Sequence, residues 1–312
     1  MLPFRLIFHP AFTVDLGPHV FPAQKYRQVR DRLLETGAAD HGDFVVPHAA
    51  VDDDVRRVHT ADYVRKLKDG DFTSAEIARM EVPWSRALVE ASWLAAGAAI
   101  EAARRARADG CAIALCGGFH HAFADHGEGF CLVNDVAVAT QALRASGEVR
   151  RVAIVDLDVH HGNGTASIFA GDADTFTLSL HQEHNYPAVK PPSTIDVGLA
   201  DGTGDDAYLD ALDHVLPRAL ETVPDLVWYV AGADPYEHDR LGGLALTQPG
   251  LRERDRRVFA WCEARDLPVV VTLGGGYGRP LEATIAAHAN VWRAARQARD
   301  RRASSRCVPP RS

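Results

Sequence analysis

The 312-residue chain predicts an α/β fold, a three-layer α/β/α sandwich built on a mostly parallel central sheet. Short apolar runs rich in Val, Ile and Leu alternate with longer Ala- and Arg-rich segments of helical character, and no low-complexity linker divides the chain. The polar residues that interrupt this pattern gather at the ends of the apolar runs, where ligands bind in open parallel sheets.

In chain order, the expected strands are CAIALC (111–116), VAIVDLDV (152–159), DTFTLSL (174–180), DLVWYVAG (225–232) and PVVVTLGG (268–275). Continuous apolar runs of this kind suit parallel strands covered on both faces. Helices are expected over 86–108, 132–145, 206–220 and 249–265, where apolar positions recur three and four apart among helix-forming residues. Residues 1–296 read as one domain. The segment 297–312, polar, Arg-rich and with two prolines near its end, is expected to be a disordered tail. There is no internal repeat.

An apolar fraction of 46% permits a sizeable core, and a net charge of -8 from 34 basic and 42 acidic residues gives no footing for a nucleic-acid partner. The five cysteines, Cys111, Cys116, Cys131, Cys262 and Cys307, are scattered without a C-x-x-C pair, so neither a disulfide framework nor a thiolate zinc site is expected. A reducing cytoplasm fits that usage. No stretch approaches the roughly 20 apolar residues of a spanning helix, so no membrane partner is expected. No feature specifies an oligomeric state.

Four strand ends carry the chemistry. The first run is followed by Gly117-Gly118-Phe119-His120-His121, the second ends in Asp156-x-Asp158 and reaches His160, the fourth is followed by Asp234, and the fifth by Gly274-Gly275-Gly276-Tyr277. Period-2 strand geometry would put Asp156, Asp158 and His160 on one face and Leu157 and Val159 on the other. Two carboxylates and an imidazole in an apolar strand are costly to bury unless paired, protonated or bound to a cation. A salt-bridged structural strand end is the alternative. Mixed carboxylate and imidazole donors suit Zn²⁺ or Fe²⁺ better than Ca²⁺ or Mg²⁺, with zinc the default. Three ligands, Asp158, His160 and Asp234, leave a position for water and a substrate carbonyl, as in catalytic rather than structural sites.

At these residues the chain resembles the histone deacetylase family, from about Phe4 to Trp292. The matching pieces are Val58-His59-Thr60-x-x-Tyr63, Gly117-Gly118-x-His120-His121, Gly129-Phe130-Cys131-x-x-Asn134-Asp135, Asp156-x-Asp158-x-His160-His161-Gly162-Asn163-Gly164, Ala231-Gly232-Ala233-Asp234, Asp239-Arg240-Leu241-Gly242-Gly243 and Gly274-Gly275-Gly276-Tyr277. The segments Phe21-Pro22-x-x-Lys25-Tyr26 and His184-Asn185-Tyr186-Pro187 look most like the class IV branch and its bacterial relatives. The resemblance implies an arginase/deacetylase-like fold and zinc-dependent hydrolysis of the amide of acylated lysine side chains.

It also implies roles. Asp158, His160 and Asp234 would hold zinc; His121 would be the general base and then acid; His120, paired with Asp156, would orient water and stabilise charge; Tyr277 would donate to the tetrahedral oxyanion. Asn163 stands where class I members have Asp as partner of the second histidine, which implies a lower pKa for His121. Gly129, Phe130, Tyr186 and Leu241 would line the acyl-lysine tunnel. Leu241 occupies the position where polyamine-selective relatives place a Glu, and so favours lysine in peptides. A structural K⁺ would sit at Asp156, Asp158, His160, Ser179 and Leu180, largely on carbonyls. Hydrolysis of acetylpolyamines or other small amides is one alternative function, and a non-catalytic acyl-lysine binder is another.

Overall fold

The computed structural model describes the backbone of residues 1–306 and side chains through residue 301. Strand β1 (Arg5–Ile7) leads to helix α1 (Lys25–Glu35), strand β2 (Phe44–Val45) and three short helices, α2 (Asp52–Val55), α3 (Ala61–Asp69) and α4 (Ser74–Met80). A regular alternation follows: α5 (Arg86–Asp109), β3 (Cys111–Ala114), α6 (Asp135–Ala145), β4 (Val152–Asp156), α7 (Asn163–Ile168), β5 (Thr175–Gln182) and β6 (Ile195–Leu199). The chain ends with α8 (Asp205–Val215), β7 (Leu226–Val230), α9 (Gln248–Glu263), β8 (Val269–Thr272) and α10 (Leu281–Arg306).

The eight strands form one sheet in the order β2-β1-β3-β8-β7-β4-β5-β6, parallel throughout rather than mostly so. Helices cover both faces, and every residue of β3, β4, β7 and β8 is buried, which is why those strands read as unbroken apolar runs. Three strands escaped the sequence reading. β1 and β2 have three and two residues, too short to show a pattern. β6 is the opposite edge of the sheet and carries Asp196 and Gly198 among its apolar residues.

Most expected elements are shorter by a few residues at one end or both, and two of the boundaries that moved have a clear physical cause. The second strand stops at Asp156 instead of continuing to Val159, because the Asp156 carboxylate accepts the Asp158 amide at 3.1 Å and the Asp158 carboxylate accepts the His160 amide at 3.0 Å. These local bonds take the backbone out of the ladder. At the C-terminus, α10 continues to Arg306, into the segment read as a tail. Ala294, Ala295 and Ala298 are buried and extend the helix's apolar stripe at spacings of three and four, past the composition boundary at 296. Residues 307–312 lie outside the described residues.

Four strands at the middle of the sheet, β3, β8, β7 and β4, are contiguous, and their C-terminal ends point to one place. Those ends carry His120 and His121, Tyr277, Asp234, and Asp158 with His160, respectively.

Candidate active site

The loop after β3 is held from below by Asp135 at the start of α6. Its buried carboxylate accepts the amides of Gly118 at 3.0 Å and Phe119 at 2.8 Å, which fixes the approach to His120 and His121. Burial pushes the Asp135 carboxyl up to about 6. The His59 and Tyr63 motif serves the neighbouring loop: His59 Nε2 accepts the Asn134 amide at 3.1 Å, and the Tyr63 hydroxyl donates to the Leu132 carbonyl at 2.8 Å.

The two histidines face each other Nε2 to Nε2 at 3.1 Å, and each has a partner behind it. His120 Nδ1 lies 2.6 Å from Asp156 Oδ2, and His121 Nδ1 lies 2.7 Å from Asn163 Oδ1. Burial works against charge on His120, but the Asp156 and Asp158 carboxylates override it and raise its pKa to about 9. His121 goes the other way, well below the ordinary imidazole value. Burial is the main cause, and the positive neighbours His120 and His160 add to it, while the bond to Asn163 opposes it only in part. One imidazole is thus prepared to carry charge and its neighbour to offer a lone pair.

Asp158, His160 and Asp234 converge so that one ligand atom from each lies within 4.8 Å of the others, all buried. Asp156 does not join them; it turns to His120. Burial opposes charge on His160, and its bond to Asp158 with the nearby Asp234 carboxylate, 3.4 Å away, raises it to about 10, whereas burial and the charge of Asp158 push Asp234 up to about 7. Asp234 Oδ1 accepts the Val159 amide at 2.9 Å, while its Oδ2 is buried without a hydrogen-bond partner. An orphaned carboxylate oxygen aimed at an imidazole and a second carboxylate is the environment a divalent cation satisfies. The donor set fits zinc.

Gly275 explains the glycine run after β8. A Cβ there would lie 1.9 Å from Asp234 Oδ2, and its amide donates to Asp158 Oδ2 at 2.7 Å. The run delivers Tyr277, whose amide donates to Asp239 Oδ2 at 2.6 Å; the other oxygen of Asp239 accepts the Leu241 amide at 2.8 Å. One carboxylate therefore ties the Leu241 loop to Tyr277. Burial and the Asp234 and Asp158 charges hold the Tyr277 phenol well above its usual value, so it stays a neutral donor.

A cavity of about 220 Å³ opens over this floor, and Gly129, Phe130, Tyr186 and Leu241 line it together with His121, His160 and Tyr277. Phe130 has a left-handed φ of 71°, held by its amide bond to the Met80 carbonyl at 2.8 Å. Its ring meets Tyr277 edge-on at 6.0 Å, and Tyr186 meets His121 at 4.9 Å. Ser179 and Leu180 lie beside the floor on β5, with Ser179 in register with Asp156 and its hydroxyl 3.0 Å from His181 Nδ1.

Four residues that sequence reasoning assigned no role belong to this architecture. The Lys25 ammonium is fully buried and donates to the Gly274 carbonyl at 2.8 Å, with burial lowering its pKa to about 8. The Arg254 guanidinium, also buried, donates to the carbonyls of Gly232 at 2.7 Å and Leu157 at 3.3 Å, bracing two ligand loops from beneath. Glu81 stands on the cavity rim, and Glu128 accepts the Asn163 side-chain amide at 2.7 Å and the Tyr186 hydroxyl at 3.1 Å. Only Lys25, the one lysine of its region, offered a signal in the sequence.

Residues 19–294 match the family model described as histone deacetylase domain. The chain is 40% identical over 295 residues to an uncharacterized protein of Picosynechococcus, covering 94% of this chain and 98% of that one. It is 33% identical over 282 residues to histone deacetylase 2 of Arabidopsis thaliana, covering 86% and 72%. The crystal structure of the HDA15 HD domain superposes with a TM-score of 0.78 at 27% identity, over 93% of this chain and 90% of that one. With the strand-end site, the parallel sheet and these matches in hand, the chain belongs to the histone deacetylase family of hydrolases.

Proposed function

We propose that this protein is a zinc-dependent lysine deacylase, hydrolysing the amide between an acyl group and a lysine side chain. The observation that carries the reading is the convergence of Asp158, His160 and Asp234 at the base of the cavity that His121, Tyr277 and Phe130 line. When bound, zinc supplies Lewis acidity toward the amide carbonyl and makes water a stronger acid. Asp158, His160 and Asp234 would hold it.

The remaining work falls to the protein. His121 takes the proton of the attacking water at Nε2, since its Nδ1 is engaged by Asn163. The same imidazole returns that proton to the lysine nitrogen as the C–N bond breaks. His120, kept positive by Asp156, stabilises negative charge beside it. Tyr277 donates its hydroxyl to the tetrahedral oxyanion. Phe130 and Tyr186 flank the aliphatic lysine stem, and Gly129 leaves room for it: a Cβ there would lie 2.8 Å from both His121 and the Tyr186 hydroxyl.

A structural K⁺ at Asp156, Asp158, His160, Ser179 and Leu180 belongs to the same reading, as does a reducing cytoplasmic setting, supported by the four described cysteines being free and buried. Among the described residues no helix is long and apolar enough to cross a membrane. The class IV-like branch reading rests on the Phe21–Tyr26 and His184–Pro187 segments; of these, Phe21 packs on Tyr277 at 6.3 Å.

Glu81 on the cavity rim favours a second reading, an acylated polyamine whose free ammonium meets that carboxylate. Leu241 on the same rim favours the first. A panel of acetyl-, medium- and long-chain acyl-lysine peptides beside acetylputrescine, assayed with wild type and Tyr277→Phe, tests both. The proposal expects turnover of at least one peptide that exceeds acetylputrescine and collapses in Tyr277→Phe. Preference for acetylputrescine would move the assignment to the second reading, and full zinc occupancy with no turnover would make the protein a binder.

A further inference from the structure

We propose that Glu128 is a positioning residue that fixes the tautomer of His121 by way of Asn163. The proposal rests on His121 being the base of the proposed hydrolase.

An asparagine amide presents an oxygen and a nitrogen that are interchangeable in shape but opposite in chemistry. Beside a base, that ambiguity matters. If Asn163 turned its nitrogen toward His121, the ring would have to accept at Nδ1 and carry its proton at Nε2, the atom that faces His120 and the reacting water. A base protonated at the reacting atom is inert.

Glu128 removes the ambiguity. Its carboxylate oxygen lies 2.7 Å from Asn163 Nδ2 and can only accept, so the amide nitrogen must face it and Oδ1 must face His121 Nδ1 at 2.7 Å. The reversed amide would set two acceptors against each other. The Gly164 amide, which donates to Asn163 Oδ1 at 3.1 Å, agrees with the same assignment. His121 then holds its proton at Nδ1 and keeps its lone pair at Nε2, on the side that faces His120 Nε2 at 3.1 Å and the reacting water.

An aspartate at 163 would need no such help, because a carboxylate accepts from either oxygen. The Asn163 and Glu128 pair therefore does with two residues what a single carboxylate could do, while keeping full negative charge one side chain farther from the imidazole. The same Glu128 oxygen accepts the Tyr186 hydroxyl at 3.1 Å, so the wall of the cavity and the orientation of the base share one anchor.

The test uses the metal-loaded enzyme, with an acetyl-lysine peptide for turnover and long-range ¹H–¹⁵N NMR for the protonation site of His121, its signal assigned by loss in His121→Ala. Wild type should show His121 protonated at Nδ1. Glu128→Ala should lower kcat about 10-fold, a fraction of what a general base contributes, and bring a second, Nε2-protonated form into the spectrum. Glu128→Gln, which keeps an accepting oxygen, should restore most of the turnover and the single tautomer. Glu128→Ala combined with Asn163→Asp should restore both, a repair that a merely structural defect at Glu128 would not show. Wild-type kcat and an unchanged spectrum in Glu128→Ala overturn the proposal, as does a loss in kcat that Asn163→Asp leaves unrepaired. If wild type turns over no acyl-lysine peptide, the hydrolase reading fails, and the NMR comparison still decides the role of Glu128.

Discussion

The floor and the mouth of the cavity are built on different principles. On the floor, Asp158, His160, Asp234, His120 and His121 are all buried, and backbone amides or neighbouring rings fix nearly every polar atom. At the mouth, Phe130, Tyr186 and Leu241 are half-buried, Glu81 is exposed, and the rings touch edge-on at 5 to 6 Å. Loss of one buried charge partner leaves another charge stranded, whereas loss of a rim contact leaves water. Reaction type is therefore fixed where substitution is costly, and substrate choice is set where it is cheap.

The largest effect expected from this contrast is Asp158→Ala. It removes one of the three proposed ligands and strands His160 and Asp234 without their shared carboxylate, so metal content measured by elemental analysis should fall well below one equivalent. Activity should drop by more than the roughly 10- to 100-fold that loss of an outer partner costs. Retention of stoichiometric metal would break the assignment of the floor. Next comes Tyr277→Phe, expected to lower kcat by about 10²- to 10³-fold with little change in KM, as for removal of one oxyanion donor. A change confined to KM would move Tyr277 from floor to mouth.

Asn163→Asp tests the electrostatics of the floor. In the proposed mechanism His121 acts in its neutral form, so protonation would abolish activity and the acid limb of the kcat/KM profile would report its pKa, which burial holds below the ordinary value of 6.5. A carboxylate at 163 favours the protonated ring and should move that limb upward by about one unit. An unchanged profile contradicts the assignment of the limb to His121. The smallest effect is expected at the mouth: Leu241→Glu should shift the kcat/KM ratio toward acetylputrescine over acetyl-lysine peptide by about 10-fold, leaving metal content intact. If it lowers metal content instead, the separation of floor from mouth does not hold.

Legibility in the sequence follows the same division. The four central strand ends announced themselves because a carboxylate or imidazole in an apolar run is conspicuous, and the structure brings Asp158, His160 and Asp234 together as that pattern required. The pairing of Asp156 with His120 rather than with the other two was not visible in strand periodicity, since the strand ends at Asp156. Glu128 and Arg254 stayed hidden, and Lys25 showed only as the one lysine of its region, for a physical reason. Each is a charged residue whose placement depends on partners distant in sequence, as with Lys25 and a carbonyl 249 positions away. Within the Arg-rich stretch 252–257, nothing distinguishes the buried Arg254 from the exposed Arg252 or the half-buried Arg256 and Arg257.

The order of strands has a consequence for how the molecule is made. β7 and β8 occupy the centre of the sheet between β3 and β4, yet they are the last strands to leave the ribosome. β4 has no neighbour on its inner side until β7 has emerged, and β3 none until residue 272 has, so each is for a time an unpaired apolar edge of the kind that invites misassociation. Asp234 and the Gly275 amide arrive with those late strands, so the nascent chain can hold Asp158 and His160 but not the full ligand set. Completion of the candidate ligand set thus waits for Asp234 after β7 and closure of the sheet for β8, so a chain stalled between the two would carry the set while the inner edge of β3 stayed bare and sticky.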